Sequence, residues 1–207
     1  LVESLGKLNL SSDGKLPLKN GSLSRMSIQK LKAIKHSIDE NNNFVDISSV
    51  KASQLPDADL LTYSFPCQDL SISSYWHGNF SGIDKDAGNR SGLLWQIERL
   101  LKEYQCIGKK MPRFLLMENV SAIHGPLHEK NFKMWRKELE SMGYLNHYYD
   151  LDSSDFGVPQ SRVRTFMISV YSQDLLNTQK NAILNFFQTS NLNRASTANP
   201  SLEMFLK

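Results

Sequence analysis

Asp59-Leu-Leu-Thr-Tyr-Ser-Phe-Pro-Cys-Gln-Asp-Leu-Ser71 is the stretch whose reading decides the fold. Leu60, Leu61, Tyr63 and Phe65 form a short apolar run, the pattern of a parallel strand covered on both faces. Pro66 donates nothing to a sheet ladder and pushes Phe65 toward an extended conformation, so the strand is expected to stop there. Ligand chemistry in open α/β sheets gathers at the carboxyl ends of strands. Cys67, placed there, is a candidate nucleophile.

Working outward, Arg113-Phe-Leu-Leu-Met-Glu-Asn-Val120 is a second strong strand, with Glu118 where the apolar run ends. A carboxylate at such a place is either hydrogen-bonded structure or an acid tuned for work. Tyr144 to Leu151 and Val163 to Val170 read as further strands, separated by the turn Asp155-Phe-Gly-Val-Pro-Gln160. Arg162 and Arg164 alternate with Val163 and Thr165, which predicts both guanidinium groups on one side. Phe44-Val45-Asp46-Ile47 reads as a shorter apolar run carrying one acid.

Helices are predicted between these runs. Ile28, Leu31, Ile34 and Ile38 share one face of a helix over 24–38, ended by Asn41-Asn-Asn43. A wide stripe (Leu93, Leu94, Ile97, Leu100, Leu101, Tyr104) marks 91–104, with Glu98 and Lys102 paired one turn apart. Phe132, Trp135, Leu139 and Met142 mark 129–142, closed by Gly143. Leu175, Leu176, Ile183 and Leu184 give one more modest helix before a Ser/Asn/Thr-rich tail. Residues 71–90 show no apolar period yet hold Tyr75, Trp76 and Phe80, the mark of a functional lid more than of a plain linker. Strand-helix alternation of this kind predicts an α/β fold: a mostly parallel sheet with helices on both faces.

Composition narrows the class. The chain has 207 residues, enough for one sizeable α/β domain, and its 22% charged residues are ordinary for a globular protein. The net charge of +3 is compatible with a nucleic-acid partner without requiring one. Two cysteines in unlike contexts suggest no disulfide, hence a reducing cytoplasm, and Cys106 reads as a structural thiol. Metal-ligand spacing is absent from the five His and two Cys, and no apolar run is long enough for a membrane span.

Three sites in order, Pro66-Cys67-Gln68, Glu118-Asn119-Val120 and Gln160-Ser-Arg162-Val-Arg164, make the chain resemble the cytosine-5 DNA methyltransferases over roughly residues 44 to 171. The wording around Cys67, with Arg90-Ser-Gly-Leu-Leu-Trp-Gln-Ile-Glu-Arg99, is similar to bacterial CpG-specific members from wall-less bacteria. The resemblance implies a partial Rossmann-like fold whose first cofactor-binding unit is missing, with S-adenosyl-L-methionine as cofactor and double-stranded DNA as partner. It implies that Cys67 adds to C6 of a flipped cytosine while Glu118, protonated, serves N3 and the C4 amino group. Asn119 would hold the Cys loop in register, Arg162 would orient Glu118, and Arg164 would donate to cytosine O2. Asp46, Ile47 and Leu93 would be the cofactor contacts, and Ser71 and Ser73 would touch DNA.

The family's Phe-x-Gly-x-Gly motif does not occur in these residues, nor does a target recognition domain. The chain therefore reads as a piece cut at both ends: an insertion and helix at 1–43, the catalytic core at 44–171, and the start of a linker at 172–207. Such a piece is expected to be inactive alone and to need a complementing chain carrying the missing motifs. Two other readings stay open: a split or degenerate piece that binds DNA or a partner without catalysis, and a family member acting on tRNA cytosine.

Overall fold

The computed structural model describes residues 1–12, 17–19, 21–66, 93–190 and 192. These fall into two compact units, Leu1–Leu55 and Pro56–Lys207. Cys67, the candidate lid at 71–90, the serines at 71 and 73, and Arg90-Ser-Gly lie outside the described residues.

The first unit holds α1 (Val2–Gly6) and α2 (Ile28–Glu40). Ser27 caps α2, its hydroxyl accepting from the Lys30 N–H at 3.3 Å. Of the predicted apolar stripe only Leu31 is buried, and Ile28 is exposed. Asn41 caps the C-terminus and Asn42 follows with φ at 48°, the left-handed value that asparagine tolerates at a helix end. The apolar run at 44–47 is not a strand. Val45 takes φ at 68°, costly for a β-branched residue, and Asp46 caps a single 3-10 turn over Ile47–Ser49. A carboxylate that satisfies backbone and side-chain donors two residues on outcompetes the weak strand preference of four residues.

The second unit is built on a four-stranded sheet in the order β1-β2-β4-β3, where β1 is Leu60–Tyr63, β2 Phe114–Asn119, β3 Tyr144–Asp152 and β4 Val163–Tyr171. β1 and β2 run parallel, Leu60 beside Phe114 and Tyr63 beside Met117. The chain between them includes α3 (Leu94–Cys106), as a parallel crossover requires. β4 enters antiparallel between β2 and β3. The sheet is thus mixed, with a smaller parallel share among the described strands than the alternation of elements suggested. The short turn after Asp152 is the reason: it can only fold β4 back along β3, and β4 then meets β2 head to tail.

Helices lie on both faces of this sheet. On one face β2 presents Leu115, Met117 and Asn119, all buried. There Trp135 of α4 (Glu129–Ser141) donates its indole N–H to the Tyr63 hydroxyl at 3.1 Å and meets the Tyr63 ring edge-on at 6.2 Å. Trp95 of α3 packs edge-on against the same indole at 6.0 Å. Lys102 pairs with the buried Glu98 and, at 3.1 Å, with Glu138, so one ammonium ties α3 to α4. The other face carries α5 (Asn177–Thr189), where Phe187 stacks on His147 of β3 at 5.3 Å. Cys106, read from the sequence as a structural thiol, is an exposed free thiol at the end of α3. Among the described residues no helix is long and apolar enough to cross a membrane.

Two consequences can be measured. Trp135→Ala, by emptying the fully buried site shared by β1, α3 and α4, should cost roughly 3–5 kcal/mol in denaturant unfolding. Burial, then the positive charge of Arg136, lowers the pKa of His147 from 6.5. The unfolded chain therefore binds this proton first, and stability should fall as pH drops from 6.5 toward the folded value. His147→Gln should flatten that slope in unfolding curves taken across this range.

Candidate active site at the carboxyl ends of β1 and β2

β1 ends at Tyr63, and the next three residues, Ser64, Phe65 and Pro66, lead to Cys67. β2 runs alongside and ends in Glu118 and Asn119. Adjacent strand residues point to opposite faces, and both of these turn that rule to use. Asn119 is buried and donates from Nδ2 to the Phe65 carbonyl at 3.0 Å, while its Oδ1 accepts the Val120 N–H at 2.8 Å. Glu118, facing the other way, takes the Ser64 hydroxyl on Oε2 at 3.0 Å. Two neighbouring residues of β2 thus grip two neighbouring residues of the Cys67 segment.

The third motif arrives on β4. Arg164 Nε lies 3.3 Å from Glu118 Oε1, with both side chains half-buried. The arginine whose side chain is found at the carboxylate is therefore Arg164, where Arg162 was expected to orient it. Register gives the reason. Asn119 pairs with Thr165 and Glu118 with Phe166, which brings Arg164 to the end of β2, whereas Arg162 precedes the first residue of β4 and is exposed. Nη1 of Arg164 also donates to the Val163 carbonyl at 2.7 Å, which fixes the guanidinium plane. Glu118 is half-exposed and bracketed by two donors.

Sequence reasoning missed the residues that hold these groups in place. Asp152 accepts from the Ser161 hydroxyl at 2.6 Å and from the N–H groups of Ser154 and Arg162, each at 2.9 Å. Those donors, Ser161 first, hold its carboxyl far below the usual range. The turn that carries Gln160, Ser161 and Arg162 is thereby clamped at its root, with Ser153 Oγ donating to the Gln160 carbonyl at 2.5 Å. Asp-Ser-Ser after a strand is a turn signature that would have disclosed it. Beneath Asn119, the fully buried Thr165 donates to Asp150 at 2.5 Å, and Asp150 also meets His124 at 3.0 Å, tying the segment after β2 to β3. No local pattern announces that pair.

The expected cofactor contacts are described apart. Leu93 opens α3 and is half-buried. In the first unit Asp46 accepts from Asn9 Nδ2 at 2.6 Å and from the Ser48 hydroxyl at 2.7 Å and N–H at 2.9 Å, and these donors, Asn9 first, lower its pKa. Its carboxylate and the Ile47 side chain remain half-exposed.

The geometry makes a direct prediction. Asn119→Ala leaves the buried Phe65 carbonyl without its donor and should destabilise the chain by about 1–3 kcal/mol in urea unfolding. Faster proteolysis near residues 64–66 should accompany it.

Residues 23–203 match the family model described as C-5 cytosine-specific DNA methylase. The chain is 39% identical over 176 residues to the orphan methyltransferase M.SssI of Spiroplasma monobiae, covering 84% of this chain and 44% of that protein. It is 38% identical over 181 residues to the type II methyltransferase M2.ScrFI of Lactococcus lactis subsp. cremoris, covering 86% of this chain and 46% of that one. The type II methyltransferase M.HaeII of Haemophilus aegyptius is 34% identical over 125 residues, 60% of this chain and 35% of its own length. The chain spans less than half the length of these curated relatives. With the family model covering most of its length, the chain belongs to the C-5 cytosine-specific DNA methylase family.

Proposed function

We propose that the protein carrying this chain methylates C5 of cytosine in duplex DNA, and that Cys67 is its nucleophile. The observation that carries this reading is that Asn119 and Glu118, the latter paired with Arg164, both bond the segment leading directly into Cys67. A duplex hides the ring faces, so the target base must be rotated out of the stack at a cost of a few kcal/mol. The Cys67 thiolate then forms a bond to C6. The displaced electron pair reaches N3, which takes the proton of Glu118, and C5 becomes enamine-like. Arg164, anchored through Nε on Glu118 and through Nη1 on the Val163 carbonyl, has Nη2 left to donate to O2, where negative charge also develops. After methylation a base, water or a side chain, takes the C5 proton, the C5–C6 double bond re-forms as the thiolate leaves, and N3 returns its proton to Glu118.

S-adenosyl-L-methionine supplies an electrophilic methyl group when bound. In the first unit, Asp46 offers an acceptor for an exocyclic amine and Ile47 half-exposed apolar surface suited to a purine; Leu93, in the second unit, is half-exposed and apolar as well. The pair in the first unit is of the kind that the adenine end of the cofactor takes. The Phe-x-Gly-x-Gly motif does not occur in the chain, so a complementing chain or a longer polypeptide would supply the methionine end. The setting is the reducing cytoplasm of a bacterium, at the nucleoid, where Cys67 stays a thiol.

DNA in which 5-fluorocytosine replaces cytosine cannot lose a proton from C5. The complete methyltransferase should therefore be trapped on it through Cys67, seen by peptide mass analysis, and Cys67→Ser should abolish both trapping and transfer. The 207-residue chain alone should transfer no methyl group. An adduct at Cys106, or none from an enzyme that methylates DNA, would overturn the assignment.

A further inference from the structure

The geometry points to Ser64 as a positioning residue for Glu118, and to Oε2, the carboxylate oxygen shared with Ser64, as the one that carries the acid proton. This inference rests on the reaction proposed above. The two oxygens of Glu118 have unlike neighbours. Oε1 faces Arg164 Nε at 3.3 Å. A guanidinium is a donor only and stays charged, so a proton on Oε1 would confront another hydrogen. Oε2 faces the Ser64 hydroxyl at 3.0 Å. A hydroxyl donates one hydrogen, accepts through two lone pairs, and rotates to suit.

The contact therefore survives both states of the acid. While Oε2 holds the proton, the hydroxyl can accept it or donate to the oxygen's other lone pair. As the proton passes to N3, the hydroxyl turns its own hydrogen toward the emerging carboxylate and stabilises charge where it appears. Ser64 keeps its own proton throughout, and Glu118 alone gives one up. Arg164 holds the acid in place and Ser64 follows its change of state.

The hydroxyl is held in position by an independent bond. The next residue, Phe65, is fixed through its carbonyl by buried Asn119. Ser64 also stands three residues before Cys67, so one short segment carries both the nucleophile and the hydroxyl that aligns the acid.

The test compares Ser64→Ala with the near-isosteric pair Ser64→Thr and Ser64→Val in the complete methyltransferase. Loss of one hydrogen bond to a charged group should lower kcat about ten- to hundredfold in the Ala and Val variants, with KM for DNA unchanged. Ser64→Thr, which keeps the hydroxyl, should restore most of the rate. If the Ala variant fails to fold, the Thr and Val pair still isolates the hydroxyl. Wild-type kcat in the Val variant, a rise in KM alone, or Thr no better than Val would overturn the role of Ser64 while trapping on 5-fluorocytosine DNA leaves the reaction intact. A wild-type enzyme that neither methylates nor is trapped would remove the reaction and this inference together.

Discussion

Two hydrogen bonds between the ends of parallel strands, Asn119 to the Phe65 carbonyl and Ser64 to Glu118, are what the rest of the site depends on. A parallel ladder alone aligns β1 and β2 only as far as Tyr63 and Met117. Beyond that point the segment leading to Cys67 has no sheet partner on β2, and side chains take over. The buried bond is the stronger constraint, because breaking it strands a polar group away from water. The other bond is exposed, and it leaves part of the Glu118 carboxylate open to solvent.

The two faces of the sheet divide the work accordingly. The Asn119 face is closed by α3 and α4 around Trp135, and its polar row of Asn119, Thr165 and Asp150 is satisfied internally. Rigidity comes from this side. Glu118 and Arg164 stand on the opposite side, which keeps them accessible and lets chemistry and stability be tuned apart. Asp152, the last residue of β3, performs the matching task for β4 by holding the turn that leads to Arg164.

Much of this arrangement could be read before any coordinates. The runs Leu60–Tyr63 and Phe114–Asn119 are short and largely apolar, so strand identity was legible, although β1 ends at Tyr63, two residues before the stop expected at Phe65. The stripe of α4 was equally plain, because Phe132, Trp135 and Leu139 recur at helical spacing and all three are buried. Phe44–Ile47 misled for the opposite reason. Four residues carry too little periodicity to outweigh the local bonds of Asp46, and a left-handed Val45 cannot be anticipated from composition. Arg162 and Arg164 look equivalent in sequence, and only the position of the first β4 residue separates them.

By itself, then, the sequence determined the order and type of most elements and the identity of the groups at their ends, since periodicity, proline and turn chemistry act over a few residues. Tertiary structure decided what depends on residues far apart in the chain. It inserted β4 between β2 and β3, chose Arg164 over Arg162 as the partner of Glu118, and set Ser64 opposite the acid. Cross-strand register makes those choices, and register is a property of two segments packed together that neither segment carries alone.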